Sequence, residues 1–132
     1  ADILPYDIGI LTDVEGLTKA EYKVSCGTKD FLEEPAMTRE EVVRAILTGM
    51  KIVKERKAQG YEILATGEMG IGNTTTSSAV ACALTGEAAE VMTGRGAGLS
   101  DEGLLRKKEV ITEGLARRNP DTSDPVEILA KV

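Results

Sequence analysis

A glycine-rich loop followed by a row of hydroxyl side chains is the first stretch of the sequence that can do chemistry. Residues 67–72 read GEMGIG, and Asn73 with five consecutive Thr or Ser residues follows. Glycines let a ligand approach the backbone, and the first N–H groups of a helix are unpaired and partly positive. The pattern therefore predicts an anion site at a helix start. It also fits a tight crossover without a ligand, because it matches neither G-x-x-x-x-G-K nor G-x-G-x-x-G.

A second glycine loop, at residues 93–99, has the same character. The backbone N–H groups of Gly96 and Gly98 can cradle phosphate oxygens. Lys107 and Lys108 flank the apolar face of the helix that follows. A lysine in that position either extends toward water or points into a site, and spacing alone does not choose between the two.

Two charged residues of these loops leave alternatives open. Glu68 lies where a predicted strand ends, and ligands bind outside the carboxyl ends of strands in open α/β sheets. Its carboxylate can hold ribose hydroxyls or stabilise positive charge, or it can cap a nearby N–H. Arg95, between two glycines, fits an anion contact and an ion pair with a neighbour equally well.

The elements around the first loop predict an α/β fold. A T-x-x-E capping box opens a helix over 38–59, and Gly60 ends it. Short β-prone runs predict strands at 61–66, near 3–10 and near 22–25. The strand–helix–strand order predicts a parallel sheet, with both glycine loops opening at the same edge.

The rest of the chain predicts four further helices. Asn73 is the expected N-cap of a helix over 74–84 with a small apolar face, and a short helix is expected at 87–92. Ser100 caps a helix that ends near Arg118, and Asp124 caps another that begins with a proline. The expected apolar faces are Ala79, Val80, Ala81, Ala83 and Leu84 on the first of these helices, and Leu104, Ile111 and Leu115 on the third.

Composition excludes several classes of function. The 132 residues suffice for one domain, and a net charge of −6 with only three Tyr, one Phe and no Trp argues against nucleic acid or anionic membrane as a partner. No apolar run approaches the roughly 20 residues of a membrane helix. With no His, the commonest metal ligand and acid–base group is absent. Cys26 and Cys82 are widely separated, which predicts reduced thiols packed in the core of a cytoplasmic protein.

Three long motifs resemble one enzyme family. GTKDFLEEPAMTREE, GEMGIGNTTT and GRGAGLSDEGLLRKKEVI occur in the order and spacing of the nicotinate-nucleotide–dimethylbenzimidazole phosphoribosyltransferases (CobT). The resemblance covers essentially the whole chain but only a middle portion of the family's length. A chain that starts in a strand and ends within a newly capped helix agrees with a partial domain of a larger chain. We therefore expect residues 1–132 to be a fragment of the nucleotide-binding α/β domain, without the family's N-terminal and C-terminal parts.

The resemblance implies a reaction and an architecture. These glycosyltransferases (pentosyltransferases) move phosphoribose from nicotinate mononucleotide to dimethylbenzimidazole in cobalamin biosynthesis, which gives α-ribazole phosphate and nicotinate. The implied fold is a Rossmann-like parallel sheet with flanking helices, and the enzymes are cytoplasmic homodimers that need no metal or cofactor. The family's general-base glutamate lies beyond Val132, so we expect the chain alone to be inactive.

The resemblance also implies roles for individual residues. Gly96, Gly98 and Lys107, rather than Lys108, hold the mononucleotide phosphate, and Glu68 supports catalysis beside the ribose. The residues expected to line the ribose, the base and the pocket floor are Met69, Gly70, Gly72, Asn73 and Thr74 with the hydroxyl residues after it. Two alternatives are a complete, non-catalytic nucleotide- or phosphate-binding module and an assembly domain without a ligand.

Overall fold

The chain folds as a set of α-helices joined by extended segments. A computed structural model describes residues 1–14, 16–17, 20–68, 70 and 72–132. A single turn of 3-10 helix spans Ala20–Tyr22. The α-helices in these ranges are α1 (Arg39–Ala58), α2 (Thr74–Thr85), α3 (Ala89–Met92), α4 (Asp101–Arg118) and α5 (Pro125–Lys131).

Local capping interactions set where the long helices begin. At the start of α1 the Thr38 hydroxyl accepts the Glu41 N–H at 3.2 Å, and the Glu41 carboxylate accepts the Thr38 N–H at 2.8 Å. The Ser100 hydroxyl accepts the Gly103 N–H at 3.1 Å to begin α4, and Asp124 caps α5. These bonds satisfy N–H groups that a helix start leaves unpaired. The predicted starts of these three helices are confirmed.

The predicted strands are not formed in the part of the chain that the structure describes. Residues 3–10 and 61–66 have no regular secondary structure and form no ladder, and the region near 22–25 begins with the end of the 3-10 helix. Two backbone bonds, Val24 N–H to Ile8 O at 2.8 Å and Gly27 N–H to Gly9 O at 2.9 Å, do not make a sheet. β-Prone composition only makes a segment compatible with a strand, and a sheet needs a neighbour in register. The described residues therefore do not form the parallel sheet predicted from these segments.

The hydrophobic core lies between α2, α4 and α5. Ile111 of α4 and Ile128 of α5 are completely buried, and Ala79 and Cys82 bring α2 against them. Of the predicted α2 face, Ala79 and Ala83 are buried, whereas Leu84 is half exposed. Small side chains on α2 let the helices approach closely, and this packing fixes where the first turn of α2 meets α4.

One glycine shows how close that packing is. A Cβ atom at Gly114 of α4 would lie 2.0 Å from the Phe31 ring, which is itself buried. No real Cβ atom tolerates such a distance, so the ring occupies the space that a side chain would need. The position therefore requires glycine for packing, although it lies inside a helix where glycine is otherwise unfavourable.

The two cysteines differ in their environment. Cys82 is buried in the core, and this burial raises the pKa of its thiol. Cys26 is exposed, so the prediction that both thiols pack in the core is wrong for Cys26. The reason is local, because Cys26 lies in a bend that the Ser25 hydroxyl closes by donating to the Gly27 carbonyl at 3.0 Å.

Polar and aromatic contacts hold the segment before α1 together and join it to α1. The Tyr22 hydroxyl donates to the Glu55 carboxylate, which raises the pKa of Tyr22 to about 12. The Tyr6 ring packs edge-on against Tyr22 with centroids 5.2 Å apart. Lys23 pairs with Asp7 at 3.1 Å. These contacts order the extended segment without sheet pairing.

α1 leaves an apolar face uncovered. Val42 is buried, but five large apolar side chains of this helix are 40 to 55% exposed, namely Val43, Ile46, Leu47, Met50 and Val53. A helix that is apolar on more than one side is normally enclosed by other elements. Among the described residues, no helix is both long and apolar enough to cross a membrane.

Candidate anion-binding site

A buried lysine is the centre of the candidate site. Lys107 on α4 is only 6% exposed. Its Nζ donates to the Thr74 hydroxyl oxygen at 2.8 Å and to the Gly94 carbonyl oxygen at 3.0 Å. Both acceptors are neutral, and no ion pair to Lys107 is formed by the residues that the structure describes. A buried charge is costly unless it is paired. The ammonium has three N–H donors, so one remains for an anion.

The start of α2 lies directly beside this lysine. Thr74 is the first residue of α2, and no side-chain bond caps that end of the helix from the described residues. The N–H groups of the first turn are unpaired by helix geometry and carry part of the helix dipole. An uncapped helix start next to an ammonium gives two sources of positive potential at one point.

The second glycine loop packs against the same helix start. Gly96 and Gly98 have φ angles of +57° and +100°, which favour glycine. A Cβ atom at Gly96 would lie 2.8 Å from the Thr74 hydroxyl oxygen, so only glycine lets the loop come this close. The structure thus brings Thr74, Gly96 and Lys107 together. Gly98 lies two residues further along the same loop.

An arginine closes the glycine loop on itself. Arg95 donates to the Leu99 carbonyl at 2.8 Å and pairs with the Asp101 carboxylate. The Leu99 N–H also donates to the Arg95 carbonyl at 3.1 Å. Of the two roles that the sequence leaves open for Arg95, the structure has the ion pair. This pair holds the ends of the loop together and so fixes the backbone between them.

Glu68 forms a second cluster with the first glycine loop. Its carboxylate accepts the Gly70 N–H at 2.5 Å and the side-chain amide of Asn73. Asn73 takes the N-cap position of α2, as predicted. Its side chain donates to Glu68 and makes no capping bond to the N–H groups of the helix. Gly70 and Gly72 have φ angles of +74° and +75°, so both need glycine. Met69, which the sequence places in the site, lies outside the described residues.

Among the described residues, no hydrogen bond or ion pair links Glu68 to Lys107. Asn73 and Thr74, which belong to the two clusters, are adjacent in the sequence. Lys108 is partly buried and forms no side-chain hydrogen bond there, so Lys107 is the lysine at the helix start.

Sequence reasoning missed two groups in this region. The Gly94 carbonyl is a main-chain acceptor, and a main-chain atom leaves no signal in residue type. The Thr93 hydroxyl is buried and has no hydrogen-bond partner among the described residues. Buried hydroxyls are normally bonded, so this one is available to a ligand or to water.

Comparisons with known proteins show the family of this chain. A family model described as phosphoribosyltransferase matches residues 1–132, and the chain belongs to this family. The chain is 48% identical over 134 residues to the nicotinate-nucleotide–dimethylbenzimidazole phosphoribosyltransferase of Acetivibrio thermocellus, and 46% identical over 132 residues to that of Ruminiclostridium cellulolyticum. Both matches cover 100% of this chain and 38% of the relative. The family resemblance of the three sequence motifs is confirmed.

A solved structure extends the likeness to the fold. The crystal structure of CobT from Thermus thermophilus matches with a TM-score of 0.79 at 43% identity, over 95% of this chain and 37% of that chain. The chain thus spans somewhat over a third of the length of the relatives it matches. It corresponds to part of a larger fold, and the described residues supply helices and extended segments of it.

Proposed function

We propose that this chain forms the phosphate-binding part of a longer enzyme. That enzyme transfers the phosphoribosyl group of nicotinate mononucleotide to dimethylbenzimidazole, releases nicotinate and gives α-ribazole phosphate. The observation that carries the proposal is the buried Lys107 ammonium, which has neutral partners and an uncapped helix start beside it. The names of the curated relatives supply the two substrates.

The phosphate group suits the cluster around Lys107. A phosphate oxygen accepts the remaining ammonium N–H, and the amides of Gly96 and Gly98 bind further oxygens. A phosphate anchor of this kind holds the substrate at a point remote from the bond that breaks, so its binding energy goes into positioning. The neutral partners of Lys107 agree with this role, because its charge is left for the ligand.

Glu68 suits the ribose. Breaking the bond between nicotinate and the anomeric carbon builds positive charge on the ribose ring, and a nearby carboxylate stabilises that charge. The Glu68 carboxylate accepts two hydrogen bonds but has about four lone-pair positions, so it can still accept a ribose hydroxyl. Gly70, Gly72 and Asn73 form the loop around it, and we assign Met69 to the same wall by family resemblance.

Attack by the benzimidazole requires a general base near the bond that breaks. The benzimidazole nitrogen attacks the anomeric carbon as the bond to nicotinate breaks, and the ring proton must go to a base. Glu68 is assigned to the ribose, and a positioned base typically contributes about 10²–10⁴-fold to such a step. We therefore assign the general base to another part of the longer enzyme.

The longer enzyme also accounts for the uncovered surfaces. Ile3 is 92% exposed and Ile63 is 88% exposed, both in segments that form no strand pairing among the described residues. We propose that 3–10 and 61–66 join a parallel sheet there, within a nucleotide-binding α/β domain of which residues 1–132 are part. We further propose that the enzyme is a cytoplasmic homodimer; the free thiols of Cys26 and Cys82 support the cytoplasmic location.

The test compares the 132-residue chain with the longer protein. Each is incubated with nicotinate mononucleotide and dimethylbenzimidazole, and α-ribazole phosphate is measured by chromatography. We expect product from the longer protein and none from the 132-residue chain. Product from the 132-residue chain at a similar rate would mean that the base lies within it, and Glu68 would be the first residue to replace. Nucleotide binding by the longer protein without any product would favour a non-catalytic binding module.

A further inference from the structure

Thr74 connects the two parts of the candidate phosphate site. Its hydroxyl oxygen accepts a hydrogen bond from Lys107 Nζ at 2.8 Å. The same oxygen lies 2.8 Å from the point where a Cβ atom at Gly96 would stand. One atom of the first residue of α2 therefore bonds the lysine of α4 and occupies the space that a side chain at Gly96 would need.

The contact fixes a side chain that is otherwise flexible. Lysine has a flexible four-carbon stem, and its ammonium has no preferred direction of its own. Two acceptors, the Thr74 hydroxyl and the Gly94 carbonyl, hold the ammonium of Lys107 at 2.8 and 3.0 Å. With two N–H groups engaged, the direction of the third is determined.

We propose that Thr74 is a positioning residue, which acts on the phosphate through Lys107. Its oxygen orients the ammonium so that the free N–H points at the anion, and the lysine makes the contact. This inference rests on the proposed function and goes beyond it, because the sequence places Thr74 only as a pocket-lining residue. It also explains the glycine at position 96, since a side chain there would collide with the oxygen that Lys107 needs.

Direct contact between Thr74 and the substrate is the competing role. A hydroxyl that accepts one hydrogen bond can still donate another, so the Thr74 hydroxyl has a proton left for a phosphate oxygen. The two roles differ in one measurable respect. A positioning residue has no effect once Lys107 is removed, whereas a residue in direct contact keeps its effect.

The experiment is a double-mutant cycle in the longer protein. The variants are Thr74→Val, which keeps the shape and removes the oxygen, Thr74→Ser, which keeps the oxygen, Lys107→Met, and Thr74→Val combined with Lys107→Met. The dissociation constant of nicotinate mononucleotide is measured by calorimetry, and kcat and KM are measured separately. Thr112→Val, at an exposed threonine of α4, is the matched control.

We expect Thr74→Val to weaken mononucleotide binding by roughly 5- to 10-fold, the range of one hydrogen bond. The loss should appear mainly in KM, since the phosphate lies away from the reacting bond. Thr74→Ser should retain wild-type affinity within roughly 3-fold, and Thr74→Val should add nothing to Lys107→Met.

Three results would overturn the inference. An equal loss from Thr74→Val with and without Lys107 would mean direct contact with the substrate. Unchanged affinity in Thr74→Val would mean that the lysine needs no positioning. Failure of Thr74→Ser to retain affinity in a folded protein would mean that the methyl group matters and the oxygen does not. If Lys107→Met itself leaves the affinity unchanged, the proposed phosphate site fails independently of Thr74.

Discussion

The two long helices α1 and α4 use similar amphipathic sequences in opposite ways. α4 buries Ile111 completely, and its glycine at position 114 admits the ring of Phe31. α1 buries Val42 but leaves a row of large apolar side chains half exposed. The described residues form the core around α4, whereas the face of α1 is left without a neighbour among them.

The candidate site lies beside the core between α2 and α4. Thr74, Gly96 and Lys107 belong to elements that pack on the α2–α4 core, so their mutual geometry is held within the chain. The segments that flank α1 are held by side-chain contacts such as the Lys23–Asp7 pair, and no strand pairing fixes them among the described residues. We infer that phosphate binding is preorganised by this chain, and that the rest of the substrate pocket depends on other parts of a longer protein.

The largest contrast between the two helices should be in the cost of truncating an isoleucine. Ile111→Ala removes a fully buried side chain and should lower the free energy of unfolding by about 2–5 kcal/mol. Ile46→Ala in α1 removes a half-exposed side chain and should cost less than about 1 kcal/mol. Urea denaturation of the 132-residue chain measures both. Equal costs would mean that the face of α1 is covered in solution.

A pair of helix glycines gives the next contrast. Gly114→Ala forces a Cβ atom into the Phe31 ring and should destabilise the chain by about 1–3 kcal/mol. Gly49→Ala meets nothing within 4 Å and should stabilise α1 by up to about 1 kcal/mol, the usual preference for alanine in a helix. Thermal unfolding shows the sign of each change. Stabilisation by Gly114→Ala would contradict the packing of α4 on Phe31.

The arginine that closes the glycine loop should affect binding more than stability. Arg95→Gln removes an exposed ion pair with Asp101, which contributes only about 0.2–1 kcal/mol to folding. Because the loop loses a constraint, we expect mononucleotide binding in the longer protein to weaken by roughly 3-fold.

The control for this variant is Arg106→Gln, which removes the same charge from an exposed position of α4. If both variants weaken binding equally, the effect of Arg95 is a general one of charge and the loop closure has no role in binding.

The smallest effect should come from the contact between α1 and α5. Arg39 pairs with Asp124 at 2.6 Å, and this pairing lowers the pKa of the Asp124 carboxyl. A lowered pKa in the folded state stabilises the fold above the unfolded-state pKa of about 4, and this stabilisation is lost as the pH falls through the folded-state pKa. Below about pH 4, wild type should therefore lose stability more steeply than Asp124→Asn. Parallel melting curves from pH 7 to pH 2.5 would argue against this contribution.

Sequence alone predicts the helix starts well because their signals are local. The capping box at Thr38 and the caps at Ser100 and Asp124 each act within four residues. The predicted strands fail because a strand needs a partner that the described residues do not provide. The spacing of apolar residues also does not tell which helix face is buried. The exposed Ile46 and the buried Ile111 both fall on the apolar faces of amphipathic helices.

Some features of the candidate site likewise have a local sequence signal, and others do not. Glycine loops and helix starts point to an anion from their sequence, and the motifs favour Lys107 over Lys108. The bond from Lys107 to Thr74 spans 33 positions in the sequence, and its partner bond goes to the Gly94 backbone. Neither has a local signature, so the positioning of the ammonium is visible only in three dimensions.

We propose above all that Lys107 is the charge that binds the mononucleotide phosphate. The most direct measurement is calorimetric titration of the longer protein with nicotinate mononucleotide, comparing Lys107→Met with Lys108→Met. Removal of a hydrogen bond to a charged group costs about 1.5–3 kcal/mol, so we expect Lys107→Met to weaken binding by roughly 10- to 150-fold. Lys108→Met should bind like wild type. Equal affinities of Lys107→Met and wild type, with both proteins folded, would contradict the account.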